Sequence, residues 1–361
     1  MKKTLIALAV SAATLAFGAN ADTLATAQAN DGNLAGTSLY SANGNDIIMN
    51  GRVEARAQEQ GGKVSDASRV RLGFGGISTI NADNNLYGVG YWQGEFTTDD
   101  NGNVDSNSNS LTTRYQYAGI GGDFGQVVYG KDDGAFETFM DGYTDIMQTF
   151  GGNYKVLGVA NRSDNTATYQ GSYGNFSAIA NYRFADDTTS TNATDNTSNG
   201  QRGTSAAVNY TIGDTGASIG TGYSNQNGSH TYMTGAGYTI SNFYVGASYT
   251  DGKLDFDNYT AFQTSNPYSF SGKQDYREYE IAASYTLGKT AFTTNYSNEK
   301  TGDYTSAKAI AVDATYYFTP NFRSYIGYNF NLMNSGDQVN GVALNKTGAQ
   351  DQAMVGMRYD F

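Results

Sequence analysis

The chain carries 22 Lys+Arg against 34 Asp+Glu over 361 residues, a formal charge of -12 and a pI near 4.5. That balance excludes a nucleic-acid binder, which needs a basic surface for phosphate. The absence of cysteine excludes disulfide frameworks, thiolate nucleophiles and Cys-ligated metal centres. The single histidine, His230, leaves little room for histidine chemistry, even beside Ser229, and no cofactor is expected.

The first twenty-one residues read as a secretory signal peptide. Lys2 and Lys3 form a positive start, Thr4 to Phe17 an apolar run, and Ala19-Asn20-Ala21 a small-x-small cleavage site. The segment is too short and wrongly flanked for a membrane anchor. The remainder divides into an N-terminal segment, 22–45, and a long patterned region, 46–361. Residues 22–36 carry no pattern of their own.

From there on, segments of about ten residues alternate apolar with polar or small side chains, the signature of membrane-spanning β-strands. In Phe176–Phe184 the residues Phe176, Ala178, Ala180, Tyr182 and Phe184 share one parity, and Ser177, Asn181 and Arg183 the other. Ile310–Phe318 and Phe322–Leu332 repeat the device. Short turns are expected near 81–85, 122–125, 171–175, 213–216, 241–242, 288–289 and 319–321. Longer polar connections are expected over 58–66, 98–109, 132–162, 185–203, 225–230, 251–276, 298–306 and 333–348. Seven short turns and eight long loops join sixteen antiparallel strands, with both chain ends on the short-turn side. The fold class is therefore all-β, a 16-stranded antiparallel transmembrane β-barrel.

Aromatic residues near strand ends fit interfacial girdles: Tyr115, Tyr117, Tyr169, Tyr238, Tyr249, Tyr285, Phe318 and Phe322. A closed barrel also pairs every strand's backbone, which hydrocarbon cannot do. The final strand, Ala353–Phe361, keeps the alternation to the last residue.

The polar parity carries a charge pattern. Arg52, Glu54 and Arg56 share a face, as do Arg69 and Arg71; Arg114 and Gln116 follow, and Arg162 closes the third long connection. Arginine facing lipid costs about 2–4 kcal/mol at the midplane, so these side chains should face the lumen. The connection 132–162 exceeds the usual length of a structureless loop. It also holds Phe136, Phe139, Met140, Tyr143, Ile146, Met147 and Phe150, which a solvated loop would not need. Folded inward on the wall, it would set Asp132, Asp133, Glu137, Asp141 and Asp145 opposite the arginines. Such a field selects ions. Two other stretches carry less: Gly119–Gly125 echoes a dinucleotide loop with no helix after it, and Asp99–Ser110 is rich in calcium-type ligands without their spacing.

Several motifs together resemble the general porins of the Gram-negative outer membrane. They are Arg71-Leu72-Gly73-Phe74, Val127-Val128-Tyr129-Gly130-Lys131, Gly142-Tyr143-Thr144-Asp145, Phe150-Gly151-Gly152 and the terminal Tyr359-Asp360-Phe361. The resemblance spans roughly residues 37–361. It implies a homotrimer of sixteen-stranded barrels in outer-membrane lipid, each with its third loop folded inward as a constriction. By motif, the basic side falls on Arg52, Arg71, Arg114 and Arg162, and the acidic side on Asp145, with Glu95 as the wall carboxylate of the third strand. The strand ending at Phe361 resembles the signal read by the barrel-assembly machinery. Where such porins have Pro-Glu before Phe-Gly-Gly this chain has Gln148-Thr149, and Asp141 stands in as the second loop acid.

The implied function is passive diffusion of ions and small hydrophilic solutes, with mild cation preference from the acidic balance. Two alternatives stand beside it. One is a substrate-selective channel with a binding site, for which Trp92 and lumenal tyrosines leave room. The other is a barrel serving mainly as adhesin or receptor through its loops.

Overall fold

The structure, a computed structural model, describes residues 21–97, 111–151, 155–186, 201–259 and 266–361. The signal peptide expected over 1–21 (Ala21 apart), the loop over 98–109 and the calcium-like stretch lie outside them. Among the described residues no helix is long and apolar enough to cross a membrane. Strands do that work here.

Sixteen of them form the wall: Asn45–Gln60, Arg69–Asn81, Leu86–Thr97, Leu111–Gly122, Gly125–Asp133, Arg162–Tyr173, Phe176–Arg183, Gly203–Thr211, Ala217–Gln226, Ser229–Ile240, Phe243–Asp255, Lys273–Leu287, Thr290–Thr301, Tyr304–Thr319, Phe322–Asn331 and Gln352–Asp360. Each pairs antiparallel with its sequence neighbours. The ring closes where the first strand meets the last, from Arg52 opposite Asp360 to Gln60 opposite Gln352. The first strand begins at Asn45, one residue before the expected boundary. Two short strands, Thr37–Ala42 and Lys63–Asp66, lengthen the ladder along its edges.

The burial pattern inverts that of a soluble protein. Val208, Tyr210, Ile219, Ile240, Ile281, Val312, Ile326, Val355 and Met357 are exposed, while Asn181, Ser205, Ser224, Ser248, Asn295 and Asp313 are buried. Apolar side chains outside and polar ones inside suit a hydrocarbon solvent, not water. Aromatic rings border the apolar belt at both ends. Tyr238, Tyr285, Tyr316 and Phe318 are exposed at the short-turn end, and Tyr129, Tyr182, Tyr249 and Tyr279 at the other. Phe318 stacks on Phe322 at 5.3 Å.

The seven short turns fall where alternation placed them. Three of the eight long connections do not. At 58–66, 225–230 and 298–306 the strands run on to Gln60, Gln226 and Thr301 and turn within two residues. Asn227-Gly228 takes φ of 41° and 87°, the left-handed pair of a tight hairpin turn. Polar residues there extend the strands past the bilayer, where neither face needs to be apolar.

Candidate functional site: the barrel interior

Strand alternation brings Arg52, Glu54, Arg69, Arg71 and Glu95 to the interior parity. Register sets Arg52 opposite Arg71, and Arg71 opposite Glu95. Arg71 Nε donates to Glu95 Oε2, and the Arg114 guanidinium lies 4.0 Å from the same oxygen. Buried Glu54 accepts from Arg69 Nε at 2.6 Å and from the Tyr325 hydroxyl at 2.7 Å. Arg52 Nε stays 3.8 Å from Glu54 and has no hydrogen-bond partner.

Arg114 reaches this group through a β-bulge. Pairing slips between Gln93 and Gly94, and the extra residue turns its side chain to Gln93 Oε1 at 3.1 Å. Gln116, expected on the same polar face, is instead exposed on the outer one. The bulge separates what simple alternation would join.

Arg162 sits further along the wall, 3.3 Å from the Tyr115 hydroxyl and 3.6 Å from Asp133 Oδ1. Its guanidinium lies over the Tyr115 ring at 5.1 Å. Tyr115 and Tyr117 are therefore not girdle residues. Both are buried on the interior parity.

The long connection lies against this interior parity. Phe136, Met140 and Tyr143 pack with Ile179, Ala207 and Met233. Tyr143 lies on a bed of glycines: a Cβ at Gly235 would stand 2.4 Å from its ring, and one at Gly246 would stand 2.0 Å from its carbonyl oxygen. Hydrogen bonds fasten the rest. Asn295 donates to Thr144 O at 3.1 Å, the Tyr244 hydroxyl to Tyr143 O at 2.9 Å, and Gln148 N to Asp313 Oδ2 at 2.8 Å. Further on, Lys155 N and Gly158 N donate to the hydroxyls of Tyr276 and Tyr259 at 2.7 and 2.6 Å.

The structure gathers the arginines with wall carboxylates, and Asp145 with acids. Asp145 keeps solvent-exposed surface, yet protein crowds it, and Glu280 stands nearby. Loss of hydration and that like charge push its pKa up to about 6, against a hydrogen bond with Asp141 that lowers it. A carboxylate so placed titrates near neutrality.

Sequence reasoning missed two things. Residues 21–36 form a helix, Ala21–Asn30, and a 3₁₀ turn, Gly32–Leu34, packed on the interior parity. Leu24, Ala27 and Leu34 are buried with Ile48, Tyr87, Tyr91, Tyr117 and Val128. Asn30 donates to the Tyr87 hydroxyl at 3.2 Å, and Asp31 accepts from Tyr117 at 2.5 Å and from Gln126 at 3.0 Å. Burial raises the pKa of Asp31 against those hydrogen bonds. The sequence of this segment marked neither the helix nor the surface it covers. The second omission is a basic extension of the wall. Asp360 bridges Arg323 and Arg358, and with Arg52 and Arg71 these line a cavity of about 320 Å³ beside Asn33.

A closed barrel with an apolar outside and a charged interior defines a membrane channel. Comparison with known proteins agrees. The Gram-negative porin family model matches residues 6–338, and the chain belongs to that family. It is 44% identical over 370 residues to outer membrane protein U of Vibrio parahaemolyticus serotype O3:K6, covering 100% of both chains. Among solved structures it resembles Salmonella typhi OmpF in complex with daunomycin, at TM-score 0.73 and 21% identity, over 90% of this chain and 100% of that one. It also resembles the trimer form of in-vitro folded OmpT of Vibrio cholerae, at TM-score 0.63 and 17% identity, over 88% and 100%. The chain is an outer-membrane porin, a channel and not an enzyme.

Proposed function

We propose a trimeric, water-filled diffusion channel for ions and small hydrophilic solutes, with mild cation preference. In this reading the third long connection, expected over 132–162, enters the lumen, and Asp141 and Asp145 face the wall of Arg52, Arg71, Arg114 and Arg162 across the passage. One observation carries the sign of selectivity. The arginines have Glu54, Glu95, Asp133 and Asp360 beside them, whereas Asp145 stands with Asp141 and Glu280. Acids therefore gather at the loop, and a negative rim favours cations.

The test is the reversal potential of single channels in a planar bilayer under a salt gradient. Asp145 has a pKa near 6, so it is charged at pH 7.5 and largely neutral at pH 5. Cation preference should fall as pH drops through that window. Asp145→Asn should start lower at pH 7.5 and lose most of the pH dependence. A variant with unaltered selectivity at both pH values would remove this loop from the selectivity mechanism.

Three further elements belong to the same proposal. Removal of residues 1–21 precedes insertion, the strand ending at Phe361 is what the assembly machinery reads, and three copies associate, as the trimer form of the Vibrio cholerae relative suggests. Unheated gel electrophoresis of the purified protein reports the last.

A substrate-selective reading has one observation in its favour. A polar cavity of about 320 Å³ lies between Phe150 and the amides of Gln58, Asn295, Asn329 and Gln352. Saturable block of conductance by a single sugar would favour that reading over free diffusion.

A further inference from the structure

Towards the short-turn end of the barrel interior, register stacks guanidinium groups on two rungs of the closing seam. Arg71 stands opposite Arg52, and Arg52 opposite Asp360. On the next rung of the same face, Arg358 stands between Arg323 and Glu54. Like charges set directly opposite on a sheet repel. The acids within reach answer this unevenly. Glu54 accepts from Arg69 at 2.6 Å and lies 3.8 Å from Arg52, while Glu95 is taken by Arg71. Asp360 alone serves both Arg323 and Arg358, the latter at 2.6 Å. Phe361 borders the same space, and its terminal carboxylate makes no ion pair among the described residues.

Two buried donors are left over. Arg323 is 2% exposed, and its Nε has no hydrogen-bond partner; Arg52 Nε is buried and unpartnered as well. A buried donor without an acceptor is costly, and more so when it carries charge. Both side chains line the cavity of about 320 Å³, within the ordinary range of ligand pockets, roughly 300–1,000 Å³. The N-terminal segment forms one side of it at Gly32, Asn33 and Ala35. Asn50 pins that side, donating to the carbonyls of Asn33 and Ala35, both at 2.8 Å. Planar guanidinium forks match the paired oxygens of phosphate better than any halide.

We infer that Arg52, Arg323 and Arg358 form a binding site for a phosphate group, free or carried as a monoester on a small solute. Asp360 holds two of the three guanidinium groups in position, and the N-terminal segment closes the site. Arg323 follows Phe322 of the aromatic belt, which sets the site at the periplasmic end of the barrel. The inference rests on the reading of a diffusion channel and adds to it a solute class held there. It leaves the acids of the long loop, and the ion preference assigned to them, untouched.

The test is binding in detergent, read by isothermal titration at pH 7.5 and low chloride. Inorganic phosphate, glucose 6-phosphate and glucose are titrated into wild type, into R323Q/R358Q and into the protein lacking residues 22–36. Phosphate and its ester should both bind wild type and compete with each other, the tighter of the two identifying the source. Glucose should not bind. R323Q/R358Q should lose about a hundred-fold in affinity, ten-fold for each charge-assisted contact. The deletion should lose several-fold, because one side of the cavity is gone. Folding is checked by the heat-dependent gel shift. Should the double variant misfold, Arg52→Gln alone should lose about ten-fold. Wild-type affinity in a folded R323Q/R358Q overturns the proposal. Unchanged affinity in the deletion does so too, since the anion would then sit outside this cavity. Displacement of phosphate by chloride at equal ionic strength would leave only a general counter-charge and has the same force. A channel silent in the bilayer that still binds phosphate would sink the diffusion reading and not the site.

Discussion

Deleting residues 22–36 from the exported chain is expected to raise single-channel conductance by roughly two-fold, because a helix about 10 Å across leaves the channel mouth. The segment is held by specific contacts, not by a tether alone. Leu24, Ala27 and Leu34 are buried against the wall, and Asp31 accepts from Tyr117 and Gln126. Asn50 donates to the carbonyls of Asn33 and Ala35, both at 2.8 Å. A milder variant checks the cause. Leu34→Asp loads a charge into an apolar contact and should produce intermittent openings towards the larger conductance. Unchanged conductance in the deletion would mean that current bypasses this segment. The barrel should survive the deletion, since its closing ladder begins at Arg52.

Gly246→Val should dislodge the long loop. A Cβ at Gly246 would stand 2.0 Å from the Tyr143 carbonyl oxygen, a backbone atom that no rotamer change can move. Overpacking of this kind costs about 1–3 kcal/mol, comparable to the few hydrogen bonds that fasten the loop nearby. Protease cleavage within 134–161 should appear in the folded protein, together with noisier, larger currents. Gly88→Ala is the control, because a Cβ there meets nothing within 4 Å. If Gly246→Val left both readouts at wild type, the glycine bed would not be what seats Tyr143.

The legible part of this molecule is the part the bilayer dictates. Alternation at Phe176–Phe184 or Ile310–Phe318 is forced, because one face meets lipid and the other does not. Where that constraint ends, so did the signal. The strands at Gln58–Lys63 and Asn298–Tyr304 rise beyond the apolar belt, lose their apolar parity and look like loops. Parity also misled where an insertion shifts it, as at Arg114 and Gln116. Tyr115 and Tyr117 were read as belt residues by type, but tyrosine serves equally well inside, where its hydroxyl meets Asp133 or Asp31. The charged wall was legible residue by residue. Its pairing was not: that Glu95 touches Arg71, while Asp145 stands with Glu280, depends on cross-strand register and loop path. The N-terminal helix lay deepest in shadow, since nothing in residues 22–36 says which surface they cover.

The closing seam has a consequence for how the molecule comes into being. The last backbone partner of Asn45–Gln60 is Gln352–Asp360, some three hundred positions later in synthesis. Until that terminal strand arrives, the first one offers a row of unpaired amides, and lipid has nothing to satisfy them with. Contacts that distant close slowly. A chain without Gln352–Asp360 would leave Asn45–Gln60 lacking that partner along the seam, and its bare amides would stand against lipid.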